Sequence, residues 1–390
     1  MITKNINFFN FVKFKKNNIK NKLIKLIKKE KILKDYPLLN SLNKNYIYSY
    51  DKKLIKKYKK FNSFNLIGMG GSILGTEAIY YFLKDKIKKN FFFFNNLQNR
   101  INIKAENSKA NIIVSKSGNT LETISNLNLI LDKENKNKNI IITENKNNIL
   151  RKMAKKLNAE ILDHKDYIGG RYSVLSEVGM LPAELMGLNT NKFKKFNELV
   201  KNRNFVNSLI DNVSFIYQLI KKGKKNSVLL NYDEKSLNFL KWYQQLTAES
   251  LGKKSKGIFP IISTMPKDNH SLLQLYLEGP NNNFFTFFSV NENNSQKINK
   301  KFLYNSYPNL KNKSLNQIIL SQKKATENVF KKKKIPYRVF DIKKRNEETL
   351  GELFTFFILE TILLGKLLKV DPFDQPSVEL IKKEIKKILN

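Results

Sequence analysis

The same order of features occurs in NLIGMGGSILGTEAIYYFLKDKI (65–87) and NIIVSKSGNTLETISNLNLILDK (111–133). Each segment begins with an apolar run typical of a buried strand, continues through a glycine-rich or hydroxyl-rich loop and ends in a helical pattern. Further strands are predicted at 139–143, 159–162, 227–232, 284–290 and 337–342. Strand, loop and helix in repetition predict an α/β fold, with parallel-rich sheets carrying helices on their faces.

The chain has 390 residues, which is enough for two or three domains with a sizeable core. The repeated strand–helix units fall into two groups, joined by a helical stretch rich in Lys and Asn at about 190–225. We therefore expect an N-terminal helical segment, two αβ domains and a C-terminal helical segment. Their predicted ranges are 1–45, 46–190, 191–345 and 346–390.

The composition excludes several classes of function. There is no cysteine and there are only two histidines, so neither a disulfide framework nor a Cys or His-rich metal site is expected. The formal net charge is +39, but only six of the 72 basic residues are Arg and the lysines are scattered along the chain. Nucleic-acid binding favours basic residues clustered on one surface, so no specific nucleic-acid partner is expected.

The first 35 residues are basic and amphipathic, as in a presequence or a membrane-surface helix. No apolar signal-peptide core occurs there, and the apolar stretch at 353–365 is interrupted by Glu360 and Thr361. We expect a cytoplasmic protein without a membrane partner, whose N-terminal helix packs on the body.

Glycine is concentrated in the first loop. Four of the 15 glycines lie within 68–75, between a predicted strand and a predicted helix. Glycine there, as at Gly71, would allow a tight turn and a close approach of the backbone to a ligand. Ile73 occupies the third glycine position of a dinucleotide fingerprint, and no GK[ST] follows, so neither a nucleotide fingerprint nor a P-loop is present. A purely structural turn remains the alternative.

The second loop is rich in hydroxyl groups and precedes a helix, an arrangement that favours a phosphate monoester. Its candidate ligands are Ser115, Lys116, Ser117, Thr120 and Thr123. Ordinary capping of the helix by Ser117 or Thr120 is the alternative, although capping does not require so many hydroxyl groups. Because both loops follow strands of one parallel sheet, we expect them to meet at its carboxyl edge, where αβ proteins bind ligands.

Six blocks occur in the order found in the glucose-6-phosphate isomerase family, and the chain resembles that family from about 65 to 382. The blocks are GMGGSILGTEA, SKSGNTLET, GGRYSVLSEVGMLPAELMG, QQLTAESLGKKSKG, DNHSLLQLYLEGP and PFDQPSVELIKK. The resemblance implies two sugar-isomerase-type (SIS) αβ domains, a C-terminal helical segment, and a homodimer with active sites at the subunit interface. One departure is Ser377, where the family usually has Gly.

The resemblance also implies roles for individual residues. Glu249 matches the base that moves the proton, Arg171 the arginine beside the developing enediolate, and Lys382 a lysine that assists ring opening. His270 matches the ring-opening acid/base that the neighbouring subunit contributes. The matched substrate ligands are Gly71, Ser72, Ser115, Lys116, Ser117, Thr120, Thr123, Gly170 and Gln375.

Without the resemblance, ordinary alternatives stay open for these residues. Glu249 could be a solvated helix residue, His270 a structural histidine and Arg171 a member of a structural ion pair. At about 100° per residue, Lys382 lies on the flank of an apolar stripe that includes Val378, which places it best among its neighbouring lysines to enter the interior. A lysine stem that covers apolar surface is the alternative. His164 lies in no matched block and is interpreted as structural.

The predicted function is an isomerase that interconverts glucose 6-phosphate and fructose 6-phosphate through a cis-enediol, in glycolysis and gluconeogenesis. This chemistry requires a base, stabilisation of the enediolate and ring opening, and no metal or organic cofactor is expected. One alternative is an isomerase that also accepts mannose 6-phosphate. Another is a sugar-phosphate-binding regulator without chemistry, although such a protein would not be expected to retain Glu249, His270 and Lys382.

Overall fold

The computed structural model describes residues 2–11, 19–27, 32, 34–100, 109–133, 138–299, 301, 303 and 307–389. Within these residues, ten strands form two five-stranded sheets, and helices pack on them. The α/β fold with parallel-rich sheets is therefore confirmed.

The first sheet is entirely parallel and has the strand order β3-β2-β4-β5-β6. Its strands are β2 (Ser63–Gly68), β3 (Asn90–Phe94), β4 (Lys109–Val114), β5 (Lys138–Thr143) and β6 (Glu160–Asp163). Gly68 is in register with Val114, and Val114 with Ile142, so these three strands end at the same level. The loops that follow them are thereby brought side by side.

The second sheet has the order β1-β10-β9-β7-β8 and is parallel except for β1. Its strands are β1 (Ile6–Phe9), β7 (Asn226–Asn231), β8 (Phe259–Thr264), β9 (Asn283–Val290) and β10 (Tyr337–Ile342). The prediction that 1–45 is helical is thus wrong at Ile6–Phe9. This apolar and aromatic stretch pairs antiparallel with β10 and covers what would otherwise be an exposed sheet edge.

Fourteen α-helices lie within the described residues. Those up to residue 199 are α1 (Ile19–Ile27), α2 (Lys52–Tyr58), α3 (Leu74–Phe82), α4 (Leu121–Lys133), α5 (Ile149–Leu157), α6 (Glu177–Leu185), α7 (Thr190–Phe193) and α8 (Phe196–Leu199). The others are α9 (Arg203–Lys221), α10 (Leu237–Leu251), α11 (Leu273–Glu278), α12 (Leu315–Lys332), α13 (Glu347–Leu368) and α14 (Pro376–Leu389).

The N-terminal helix α1 packs on α9 through Leu23 and Ile27, as expected for a helix attached to the body. The predicted basic stretch at 12–18 and residues 28–31 lie outside the described residues. The apolar segment at 353–365 belongs to α13, which is buried along almost its whole length. None of the helices in the described residues combines the length and hydropathy needed to cross a bilayer.

Helix α10 lies between the two halves of the molecule and packs on both α3 and α13. A fully buried polar cluster fixes it. The Tyr243 hydroxyl of α10 donates to Glu360 Oε1 of α13 at 2.7 Å, and Arg338 of β10 pairs with the same carboxylate. Because a buried charge is stable only when it is paired, this cluster holds the three elements in one arrangement. The C-terminal end of α10 carries the residues of the candidate site.

Candidate active site

A cavity of about 320 Å³ lies at the carboxyl edge of the first sheet, between the loops after β2, β4 and β5 and the C-terminal turns of α10. Its lining residues are Met69, Gly71, Ser72, Lys116, Ser117, Thr120, Glu144, Gly170, Arg171, Gln245, Glu249, Gln375, Glu379 and Lys382. The structure therefore brings together ten of the thirteen predicted site residues. Ser115, Thr123 and His270 do not line this cavity.

The glycine loop after β2 contacts the loop that carries Arg171. A Cβ atom at Gly71 would lie 2.2 Å from the carbonyl carbon of Gly170 and 2.4 Å from the Arg171 amide nitrogen. Such distances are far inside van der Waals contact, so only glycine permits this approach of two backbones. The contact fixes the position of Arg171 relative to the first sheet.

The hydroxyl-rich loop after β4 precedes α4, with Ser117 and Thr120 facing the cavity. Ser115 is buried behind them, where its Oγ lies 2.8 Å from Thr120 Oγ1 and accepts a hydrogen bond from the Gly118 amide. Thr123 is also buried, and its Oγ1 has no hydrogen-bond partner among the described residues. The helix N-terminus and the two facing hydroxyls form a cradle for an anion.

Lys116 lines the cavity next to this cradle. Its Nζ donates to the Asp166 carbonyl at 2.7 Å and lies 3.5 Å from Glu144 Oε1. Glu144 is also paired with Lys146 at 3.0 Å and lines the cavity. The Glu144 carboxylate therefore lies beside the cradle and competes with an incoming anion for the Lys116 ammonium group.

Glu249 lies in the last turn of α10, and its carboxylate is held from two sides. Arg171 Nη1 donates to Glu249 Oε1 at 2.9 Å, and Gln245 Nε2 donates to Glu249 Oε2 at 2.9 Å. The Arg171 side chain is only 3% exposed, whereas that of Glu249 is 22% exposed and faces the cavity. This geometry orients an accessible carboxylate, as a general base requires.

Arg171 also joins this carboxylate to the segment before α14. Its Nε donates to Ser250 Oγ at 2.8 Å, and its Nη2 donates to the carbonyls of Pro372 and Asp374 at 2.7 and 3.0 Å. Nη1 also donates to Gln375 Oε1 at 3.1 Å. A planar guanidinium group can make all these bonds at once, which a lysine ammonium cannot. This pattern explains an arginine in a chain that otherwise uses lysine.

Lys382 lines the cavity from the surface rather than from the interior. Its side chain is 56% exposed and its Nζ lies 2.6 Å from Glu379 Oε1. The apolar stripe on α14 is exposed at Val378, Ile381, Ile385 and Ile388, so the expectation that this stripe marks the interior face is wrong. Periodicity predicts an apolar face but does not specify what covers it, and α14 has no buried residue.

The departure at Ser377 leaves the local backbone unstrained. Ser377 lies in the first turn of α14, directly after Pro376, and its φ is outside the left-handed region that favours glycine. Proline at the first position of a helix is also favourable, because its ring fixes a helical φ.

Neither of the two histidines lines the cavity. His270 is exposed at the end of a short 3-10 helix, Lys267–His270, that follows β8. Asp268 shapes this turn, since its carboxylate accepts hydrogen bonds from Ser263 Oγ at 2.9 Å and from the Thr264 amide at 2.7 Å. His164 is buried, and burial lowers its pKa to about 4.

Four lining residues were missed from the sequence: Met69, Glu144, Gln245 and Glu379. Gln245 could have been found, because it precedes Glu249 by one helical turn and such pairs face each other. The other three carried no signal of their own. Among the described residues, no three His, Asp or Glu side chains are grouped as a metal site.

The phosphoglucose isomerase family matches this chain over residues 53–390. The chain belongs to the phosphoglucose isomerase family. It is 32% identical to the probable glucose-6-phosphate isomerase of Methanococcus maripaludis, over 94% of this chain and 87% of that protein. It is 33% identical to the glucose-6-phosphate isomerase of Methanocaldococcus jannaschii, over 86% of each. The resemblance indicated by the motifs is confirmed.

A solved structure shares the fold. The crystal structure of a glucose-6-phosphate isomerase from Chlamydia trachomatis superposes with a TM-score of 0.75 at 16% sequence identity. The match covers 99% of this chain and 89% of that one, so the whole architecture is common to both.

Proposed function

We propose that the Glu249 cavity catalyses the interconversion of D-glucose 6-phosphate and D-fructose 6-phosphate through a cis-enediol intermediate. The observation that carries the proposal is the oriented carboxylate of Glu249, held by Arg171 and Gln245 in the cavity that also contains the anion cradle. The membership of the phosphoglucose isomerase family and the names of the relatives support the same reaction. We infer the family's role in glycolysis and gluconeogenesis for this chain.

The cradle supplies the binding of the phosphate group. Ser117 and Thr120 present hydroxyl donors at the N-terminus of α4, and Lys116 supplies a nearby cation. Ser115 orients Thr120 from behind, so its role is to position a ligand rather than to contact the phosphate. Binding at this end would place the sugar carbons toward Glu249, because the cavity extends from the cradle to α10.

Glu249 would move the proton. Its carboxylate removes the proton from C2 of the open-chain aldose, the electron pair of that C–H bond forms the C1–C2 double bond, and the π pair of the C1 carbonyl moves onto O1 to give the enediolate. The O2 hydroxyl proton passes to O1, and the same carboxyl group returns its proton to C1 as the C2–O2 carbonyl forms, which gives the ketose. The Arg171 guanidinium, already 2.9 Å from Glu249, would stabilise the negative charge that develops on the enediolate oxygens.

Ring opening requires further acid/base groups. Lys382 lines the cavity together with Gln375, and both follow α13 in the chain. His270 does not reach the cavity of its own chain, and we propose that a second copy supplies it in a homodimer. The dimer is part of the proposal, and the cytoplasmic location remains a prediction of the sequence.

The test is the rate at which the purified chain converts fructose 6-phosphate into glucose 6-phosphate, measured with a chelator present. We expect turnover in the wild type and a loss of about 10³- to 10⁴-fold in Glu249→Gln, because general base catalysis contributes on that order. Glu278→Gln is the matched control, since this glutamate is exposed and lies on α11 away from the cavity.

Absence of turnover in the wild type, with sugar phosphate still bound, would contradict the proposal and favour the regulator. Turnover that the chelator abolishes would contradict a reaction without metal. Mannose 6-phosphate, tested in the same assay, separates an isomerase of narrow specificity from one of dual specificity.

A further inference from the structure

Helix α14 carries Lys382 and Glu379 to the cavity, yet it has no buried residue of its own. Its apolar residues remain between 36% and 82% exposed, so it gains little from packing, which is what normally fixes a helix in a protein. Its position must therefore be set by the connection that precedes it. That connection is the segment Asp371–Gln375, between α13 and α14.

Two cations hold this segment. Arg171 donates to the carbonyls of Pro372 and Asp374, as described above. Lys253 pairs with the Asp374 carboxylate at 2.6 Å and also donates to the Asp371 carbonyl. The Lys253 side chain is only 11% exposed, whereas that of Asp374 is 52% exposed, so one largely buried cation makes charge-assisted hydrogen bonds to two points of a segment at the surface.

Lys253 connects this segment to the end of the helix that carries Glu249. It follows the end of α10 at Leu251, only four residues after Glu249, and is thus attached to the same helix end. Arg171 already divides its donors between Glu249, Ser250 and the segment. Within the described residues, the Lys253 ammonium group contacts this segment through one backbone carbonyl and one carboxylate.

We propose that Lys253 is a positioning residue that acts through Asp371 and Asp374. It holds the segment so that Gln375 and Lys382 keep their places in the cavity that contains Glu249. The proposal rests on the proposed function, because Lys382 and Gln375 matter only if the cavity is catalytic. Lys253 itself does not line the cavity and has no direct contact with substrate in this account.

The test uses the full chain with three variants. Lys253→Met removes the charge and keeps most of the stem, Lys253→Arg keeps the charge, and Lys254→Met is the matched control at the next, exposed position. The measurements are kcat and KM for fructose 6-phosphate, inhibition by inorganic phosphate, and hydrogen exchange in peptides that cover 371–389.

We expect kcat of Lys253→Met to fall about 10- to 100-fold, since a displacement near 1 Å can cost 10²-fold. Inhibition by inorganic phosphate stays within about 3-fold of the wild type, because the cradle is on the first domain and does not depend on the segment. Amide exchange in 371–389 becomes faster. Lys253→Arg restores most of kcat, and Lys254→Met resembles the wild type.

A wild-type kcat in Lys253→Met would overturn the proposal, as would an equal loss in Lys254→Met. A parallel loss of phosphate inhibition would also overturn it, because that result indicates general unfolding. If the wild type has no turnover, the proposed function fails, and hydrogen exchange alone then decides whether Lys253 holds the segment.

Discussion

Replacing Gly71 by alanine is expected to separate the two loops that hold Arg171 in place. The new Cβ would lie 2.2 Å from the Gly170 carbonyl carbon, and the atoms in its way belong to backbone rather than to a flexible side chain. The glycine loop and the Arg171 loop cannot both keep their positions. Because Arg171 bonds to Glu249 and to the segment before α14, a shift of its loop displaces both the Glu249 carboxylate and the connection to Lys382.

The size of the effect follows from this distance. Restoring ordinary contact requires the loops to move apart by about 1 Å, and a displacement of that size can lower kcat/KM about 10²-fold. Forcing an extra carbon into a packed site also costs about 1–3 kcal/mol of unfolding free energy. Gly71→Ala should therefore lose much of its activity while the chain remains folded at moderate temperature.

The assay compares kcat/KM for fructose 6-phosphate and the midpoint of thermal unfolding in Gly71→Ala and Gly169→Ala. Gly169 is a matched control in the facing loop, where a Cβ would meet Tyr172 Cδ2 at an ordinary 3.5 Å and φ is −67°. We expect Gly169→Ala to stay within about 3-fold of the wild type. Activity of Gly71→Ala within the same range would refute the reasoning about the two loops.

Four other substitutions give three further predictions. Thr120→Val should weaken inhibition by inorganic phosphate about 10-fold or more, because a hydrogen bond to a charged group is worth about 1.5–3 kcal/mol. Thr123→Val should change this inhibition less than about 3-fold, because the Thr123 side chain is buried and does not line the cavity. Glu144→Gln should tighten the same inhibition about 3- to 10-fold, because removing one charge beside the cradle is worth about 1 kcal/mol. Burial raises the pKa of Glu77 to about 7 from 4.5, so the folded chain retains a proton that the unfolded chain releases. The free energy of unfolding of the wild type should then fall as the pH rises from about 4.5 to 7. In urea unfolding, Glu77→Gln should be more stable than the wild type by about 2–3 kcal/mol at pH 8 and should differ little from it at pH 4.

Each of these predictions has an outcome that contradicts it. Equal effects of the two threonine substitutions would show that the buried hydroxyl also reaches the ligand. Weaker phosphate inhibition in Glu144→Gln would mean that its main role is to hold Lys116 rather than to compete for it. A stability gain in Glu77→Gln that is the same at pH 4 and pH 8 would exclude titration of Glu77 as its cause.

The strands and loops that build the site were predictable because their signals are local. An apolar run followed by a glycine or hydroxyl cluster marks β2 and β4 together with their loops, and parallel pairing then brings those loops to one edge. The strands β3 and β8 were not predicted. The strand β3 contains four consecutive phenylalanines and no alternation, and β8 contains Pro260.

Other features depend on contacts between distant parts of the chain. Nothing in the residues around Ile6–Phe9 specifies β10 as the pairing partner. Arg171 was predicted as a site residue, but its bonds to the Pro372 and Asp374 carbonyls involve backbone groups that every sequence has. The amphipathic pattern of α14 was correct as a pattern, yet burial depends on what lies opposite, and its stripe is exposed.

The most direct test of the account is deuterium incorporation into the sugar. An enediol mechanism exchanges the transferred proton with solvent in part, so fructose 6-phosphate incubated with the wild type in D₂O should acquire deuterium at C1, and the glucose 6-phosphate formed at C2. In Glu249→Gln both signals should disappear while the protein still binds inorganic phosphate. Deuterium incorporation at the wild-type rate in Glu249→Gln would contradict the claim that this carboxylate is the base.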